Sequence, residues 1–337
     1  MKSLLLLFFS FLLIGLSAFR YSEENEYFTI PKGWPKPHYN FKGNPLTQEG
    51  IQLGRQLFYD PILSRDSTIS CASCHLQATG FAHVDHELSH GIDNRMGTRN
   101  AMALINLAWN ESFMWDGGIN HLDVQSLAPI THPAEMDADL EVIVKRLQQS
   151  EKYSNLFQKA FPEKPITSPL LFKALSQFMV TLVSANSKYD QQKRGEYQFT
   201  ASESKGYQLF QQHCGSCHRE PLFSSTTYEN NGLPADPDLK DIGRMKITQD
   251  PKDSLQFRVP TLRNIQFTFP YMHDGRFQNL NQVIRHYNSG IVPHKTLSKP
   301  LEKPMHLSDN DRVDLESFLR TLSDPSFLYN TNYSYPK

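Results

Sequence analysis

Cys71-Ala72-Ser73-Cys74-His75 and Cys214-Gly215-Ser216-Cys217-His218 decide how this chain is read. The 337 residues include four cysteines, and these two pentapeptides use all of them. Four cysteines in an exported chain would ordinarily suggest a disulfide framework. Here each pair is too close in sequence to staple distant segments, and a histidine follows each pair at once. Cys-x-x-Cys-His is the attachment pattern of c-type haem. The two sulfurs form thioethers to the vinyl groups, and the adjacent imidazole is held beneath the iron. Cys71, Cys74, Cys214 and Cys217 are therefore the expected attachment points of two haem c groups, with His75 and His218 as proximal ligands.

The N-terminus agrees with attachment after export. Met1-Lys2 is a short positive region, Leu4 to Leu16 is an apolar run of 13 residues, and the small residues Ser17 and Ala18 follow. This is a secretory pattern, short for a membrane span, so residues 1–19 are expected to be a signal peptide or a retained anchor and the protein periplasmic. Apolar residues at 39 % suffice for a real core. A formal net charge of −1 supplies no bulk field for nucleic acid, so any partner must recognise a local patch.

Helical signals dominate the rest. Residues 20–44, rich in Pro, Tyr and Lys, suggest an extended leader. Helices are expected at Thr47–Tyr59, Asp139–Gln149 and Leu170–Val183, the last started by Ser168-Pro169. Thr200-Ala201-Ser202-Glu203 forms a capping box before a helix over Ser204–Gln212 that runs into Cys214. A last helix spans Asp309–Leu322, capped by Ser308. Strand alternation is weak. The expected fold is mostly α: two cytochrome c-like helical domains, 45–192 and 193–325, each built round a covalently bound haem, with a tail at 326–337. The polar stretch Tyr189–Phe199 marks the boundary.

The halves also resemble each other. A shift of 158 residues aligns 101–129 with 259–287 and pairs Leu104 with Leu262, Asn106 with Asn264 and Met114 with Met272. It also pairs Asp116 with Asp274, Gly117 with Gly275 and Leu122 with Leu280. With an attachment motif upstream in both halves, this argues for internal duplication. The same shift pairs Pro129 with Tyr287. Proline cannot ligate iron and a tyrosine phenolate can, which suggests an open first haem and a second one closed by Tyr287. Tyr287 could equally be packing at a haem edge, and Met272 and Met245 are competing ligands.

An open haem that reduces peroxide needs a nearby acid–base group. Glu135 follows Pro129 in a stretch stiffened by Pro129 and Pro133, and Gln125 could orient it or bond the peroxide. An isolated glutamate is ordinarily a solvated charge, and His132 is an alternative. The loop Phe81–Gly91 carries His83, His86 and His90. Such a loop is usually solvated, but one of these could ligate the first haem at rest. Trp115, in the repeated block, is either core or an electron relay between haems.

With these residues in hand, the chain resembles the bacterial diheme cytochrome c peroxidase family, MauG-like enzymes included, over about Pro45 to Leu322. The resemblance is carried by Leu63-Ser64-Arg65-Asp66, Gly97-Thr98-Arg99-Asn100, Val259-Pro260-Thr261-Leu262-Arg263-Asn264 and Pro270-Tyr271-Met272-His273-Asp274-Gly275, beside the motifs above. It implies a peroxidatic first haem with Glu135 and Gln125 as distal groups, Trp115 between the haems, and His90 as a releasable distal ligand. It implies a calcium ion held by Asn100 and the main-chain oxygens of Thr268 and Pro270, a class of ligand that suits that hard cation. It also implies hydrogen peroxide as substrate, with a small electron donor (a cytochrome c or copper protein) or a protein substrate as partner, and a possible homodimer. Tyr287 departs from the methionine usual in the peroxidases and matches the MauG-like choice.

Overall fold

The computed structural model describes residues 26–337, so the N-terminal segment expected to direct export lies outside the described residues. Among the described residues no helix is long and apolar enough to cross a membrane. The described residues are mostly helical, and their sheet is one antiparallel pair, β1 (Tyr228–Glu229) and β2 (Phe257–Arg258).

The first half is organised by α1 (Gln48–Tyr59) and α7 (Ser168–Val180). Thr47 caps α1 by accepting the Gly50 N–H at 3.0 Å. Leu53, Leu57 and Phe58 fall on one face and are buried. Gly54 sets the approach of the two helices: a Cβ there would lie 1.9 Å from the Ala174 carbonyl oxygen. The short α2 (Cys71–Cys74) carries the first motif, followed by α3 (Leu122–Gln125), α4 (Leu127–Thr131), α5 (Leu140–Gln149) and α6 (Glu151–Ala160). α7 begins two residues before the expected position because Thr167, not Ser168, is the capping residue.

The second half repeats this device. After α8 (Lys188–Lys193), α9 (Ala201–His213) starts on the Thr200/Glu203 capping box and delivers Cys214 directly from its C-terminal end. It crosses α12 (Asp309–Arg320) at Gly206, where a Cβ would lie 1.9 Å from the Asp314 carbonyl oxygen. The short α10 (Met245–Thr248), α11 (Leu280–Arg285) and α13 (Pro325–Leu328) complete the set, and α11 passes into a π-helical turn, His286–Gly290.

Main-chain geometry follows the 158-residue shift closely. Asn106 and Asn264 are both left-handed, at φ 57° and 58°. Their N–H groups donate to Leu182 and Leu322, each at 2.9 Å. The halves dock reciprocally: Asn100 N–H donates to the His273 carbonyl and Arg258 N–H to the Trp115 carbonyl, both at 2.7 Å, and the shift exchanges these two bonds. Gly117 lies against Tyr228 of the second half, and Gly275 against the Glu87 carbonyl of the first.

Three boundaries differ from the sequence expectation. Residues 26–44 are not a free leader, because Phe28 and Tyr39 are buried in the first core and Trp109 Nε1 donates to the Pro35 carbonyl at 2.8 Å. Tyr189 packs in the second core, so the division falls before α8. The terminal segment is a strap rather than a tail: Phe327 and Leu328 enter the first core, and Arg55 donates to the Ser334 carbonyl at 2.7 Å. Hydrophobic periodicity does not reveal such long-range returns.

The glycine crossings yield a stability test. Gly206→Val should destabilise the fold by about 1–3 kcal/mol through overpacking, and Gly54→Val should act alike. A lowered thermal midpoint with haem absorbance retained is the expected result; an unchanged midpoint contradicts the crossing geometry.

Candidate haem sites

Both motif histidines are held by their own backbone. His75 Nδ1 lies 2.7 Å from the Phe81 carbonyl. His218 Nδ1 lies 3.2 Å from the Phe223 carbonyl and 3.1 Å from that of Pro260. A carbonyl only accepts, so Nδ1 carries the proton in each ring and Nε2 keeps its lone pair, the tautomer a metal ligand requires. Burial pushes both imidazoles down to about 4, which keeps them neutral at physiological pH.

The cysteines beside them differ from a redox dithiol. Burial pushes the Cys71 and Cys214 thiols up to about 12 and Cys74 to about 11. Dithiol catalysts instead carry depressed thiols. Capping sets the first motif: Ser70 N–H donates to Ser73 Oγ at 3.1 Å, opening α2 so that the Cys71 carbonyl accepts the His75 N–H at 2.9 Å.

Glu135 stands near the first motif, close enough for its charge to raise both Cys71 and Cys74. Its carbonyl accepts the Ile92 N–H at 2.8 Å, and Gly91 makes this possible, since a Cβ there would lie 2.1 Å from that oxygen. Arg65 braces the same turn: its N–H donates to the Met136 carbonyl at 2.9 Å and its guanidinium reaches Asp137 at 2.6 Å. Burial raises the Glu135 carboxyl above the ordinary glutamate range, and His132, 3.8 Å away, partly offsets this. Gln125, at the end of α3, donates to Met114 Sδ at 3.7 Å; Pro129 sits in α4. The His90 carbonyl is 3.8 Å from Cys74 Sγ, while its ring lies against those of His83 and His86.

One large apolar cavity surrounds the second motif. His218, Cys214, Cys217, Tyr287 and Met272 line it, and Trp115 closes it toward the first half. The Trp115 indole N–H donates to the Asn100 carbonyl at 2.9 Å. Asn100, Thr268 and Pro270 border the same cavity, and Asn100 Nδ2 donates to the Glu87 carbonyl at 3.0 Å. Tyr287 rides on the π-helical turn after α11, and burial, with the nearby Cys214 and Cys217, pushes its phenol up to about 12 despite a hydrogen bond with Asn231. Asn231 Nδ2 also lies 3.4 Å from Met272 Sδ, so both candidate ligands share one polar neighbour. Met245 opens α10 and is not part of the cavity lining.

Arg258 and Asn231 escape sequence reasoning. Arg258 is buried in the cavity wall and its Nε has no hydrogen-bond partner, while burial lowers the guanidinium to about 10. Its Nη2 donates only to Met102 Sδ at 3.6 Å, and a buried guanidinium so weakly met is costly unless an anion joins it. A haem carboxylate would be such an anion, so apolar walls, a neutral imidazole and this cation together fit a haem. The available signal was position: Arg258 stands 158 residues after Asn100, immediately before the Val259–Asn264 block.

A mostly helical chain with two Cys-x-x-Cys-His sites defines a diheme cytochrome-type protein. The di-haem cytochrome c peroxidase family pattern matches residues 48–198. A MauG protein from Methylorubrum extorquens is 35 % identical over 307 residues, covering 88 % of this chain and 83 % of that protein. The cytochrome c551 peroxidase of Nitrosomonas europaea is 34 % identical over 245 residues, 71 % of this chain and 73 % of that protein. The crystal structure of a MauG-like protein associated with microbial copper homeostasis superposes with a TM-score of 0.83 at 32 % identity, covering 92 % of this chain and 99 % of that one. The chain belongs to the di-haem cytochrome c peroxidase family, which includes the MauG proteins.

Replacing Tyr287 by Phe should change the visible spectrum and lower the stability of the ferric state at the second haem, while the first is unaffected. Redox titration of the wild type and Tyr287→Phe checks this; coincident titrations show that Tyr287 is not an iron ligand.

Proposed function

We propose that this chain is a diheme peroxidase that reduces hydrogen peroxide to water at the haem held by Cys71, Cys74 and His75. The observation that carries the reading is the neighbourhood of His75. The attachment cysteines beside this neutral, backbone-anchored imidazole feel the charge of Glu135, a carboxyl that burial raises above the ordinary glutamate range. The haem groups, attached through the motif cysteines, supply the redox equivalents that split the O–O bond.

The residues do the rest. Glu135 accepts a proton from bound peroxide and returns it to the departing oxygen as water, general acid–base work for which a raised carboxyl suits near-neutral pH. Gln125 orients the substrate. The main-chain bonds from Ile92 and Arg65 hold the turn carrying Glu135. Trp115, at the wall between the halves, suits electron relay toward the second site. In this reading His90 would hold the first haem at rest and would be released on activation. Asn100 and the main-chain oxygens of Thr268 and Pro270 would hold a calcium ion, for which oxygen ligands are suited. The reciprocal hydrogen bonds support descent of the two halves from one duplicated haem domain. The chain acts in the periplasm after export, as a monomer or homodimer, and draws electrons from a small cytochrome c or copper protein.

Tyr287 favours a second reading, oxidation of a protein or organic substrate by the same site in the manner of the MauG relatives. A phenolate stabilises ferric and higher-valent iron and makes the second haem a poorer acceptor from a small cytochrome. Steady-state turnover with reduced cytochrome c separates the two: rapid oxidation supports the peroxidase, and its absence alongside peroxide-dependent oxidation of a partner protein supports the other.

Glu135→Gln should slow peroxide turnover by about 100-fold or more with both haems attached. In the wild type, kcat/KM should rise as Glu135 deprotonates, with a midpoint above the ordinary glutamate value of about 4.3. That limb should vanish in Glu135→Gln. Wild-type turnover in the variant, or an unchanged limb, overturns the assignment.

A further inference from the structure

We propose that His83, His86 and His90 form a binding site for a divalent transition-metal ion of the copper–zinc class, distinct from both haem irons. One ligand nitrogen from each of the three rings lies within 4.8 Å of the other two. The rings face one another closely, with His86 and His90 centroids 4.7 Å apart and His83 and His86 5.5 Å apart.

The loop that carries them is pinned at both ends. Ala82 pairs with Leu76, and His90 pairs with Met96. Gly97 N–H donates to the Ser89 carbonyl at 2.7 Å, and Gly91 is wedged against Glu135. A short loop held this way presents its side chains in a defined arrangement rather than as a solvated run. His83 supplies the second, independent observation: its side chain is buried, at 5 % exposure, and Nδ1 has no hydrogen-bond partner. Buried imidazole nitrogens are ordinarily satisfied, and a metal bond satisfies one as well as a proton donor does.

The donor set selects the ion. Three neutral imidazoles suit copper and zinc, whereas calcium and magnesium take oxygen ligands. Zinc–nitrogen bonds of about 2.0–2.1 Å place tetrahedral donors roughly 3.4 Å apart. Rotation of the exposed His86 and the half-buried His90 toward His83 closes the remaining gap. His86 lies at the surface and offers an entry path, and a fourth position stays open to water or to Asp85 of the same loop. Because the His90 carbonyl touches Cys74 Sγ, the ion would stand beside the first attachment motif, and while bound it would withhold His90 from that haem iron.

The test uses the holoenzyme with both haems attached, titrated calorimetrically with Zn²⁺ in calcium-containing buffer. One Zn²⁺ per chain is expected, with binding lost in His83→Ala and in His86→Ala while haem absorbance is retained. Absence of stoichiometric binding in the wild type, or binding that survives either substitution, overturns the proposal. Should buried His83 prove necessary for folding, the surface variant His86→Ala decides alone.

Discussion

In each half a half-buried imidazole donates Nδ1–H to a carbonyl of the loop that follows its own attachment motif: Phe81 for His75, Phe223 for His218. That bond fixes the tautomer, the ring plane and the direction of the free Nε2 at once. The surrounding architecture serves to hold it. A glycine-centred helix crossing stands beside each motif, at Gly54 against α7 and Gly206 against α12, and aromatic residues seal the space behind it. The reciprocal bonds of Asn100 with His273 and Arg258 with Trp115 then lock the halves face to face. Trp115 stands at that junction because its carbonyl is one of the four groups that make it.

The two sites share a frame and differ in what faces the imidazole. In the first half the stretch after α3 carries Pro129, which cannot ligate, and a turn that brings Glu135 near Cys71 and Cys74. Near His218 the matching stretch is α11 and a π-helical turn, which brings Tyr287 into the cavity. π-Helical turns of this kind recur at functional positions because one extra residue re-aims a side chain. In the proposed function this difference divides the labour between a site that takes a small molecule and one that stores or passes charge. Tyr287, Met272 and Asn231 form the polar corner of the second site, with Asn231 next to both candidate ligands.

Much of this was legible in the residues alone. The paired pentapeptides marked the two candidate haem sites. The capping signals at Thr47 and Ser308 set helix starts to within a residue, while the helix after Thr200 begins at Ala201, three residues before the expected Ser204, because Thr200 itself is the capping residue. The 158-residue shift paired Asn106 with Asn264, and both prove to be left-handed turns, a conformation asparagine tolerates. What stayed hidden depends on contacts between distant segments. The strap from Phe327 to Ser334, the packing of Phe28 and Tyr39 into the first core, and the placement of Arg258 in the cavity wall follow from tertiary closure, to which local periodicity is blind. His83, His86 and His90 looked like a solvated loop because nothing local reveals that the loop is pinned at both ends.

The central claim is that the two irons have different sixth positions, and cyanide titration of the fully ferric holoenzyme, followed by electron paramagnetic resonance, tests it most directly. His90 should first be removed as a possible resting ligand by using His90→Ala beside the wild type. One haem should then be high-spin and convert to a low-spin cyanide complex, while the other keeps its low-spin His–Tyr signal throughout. Two haems that bind cyanide alike, or two that both refuse it in His90→Ala, would contradict the account.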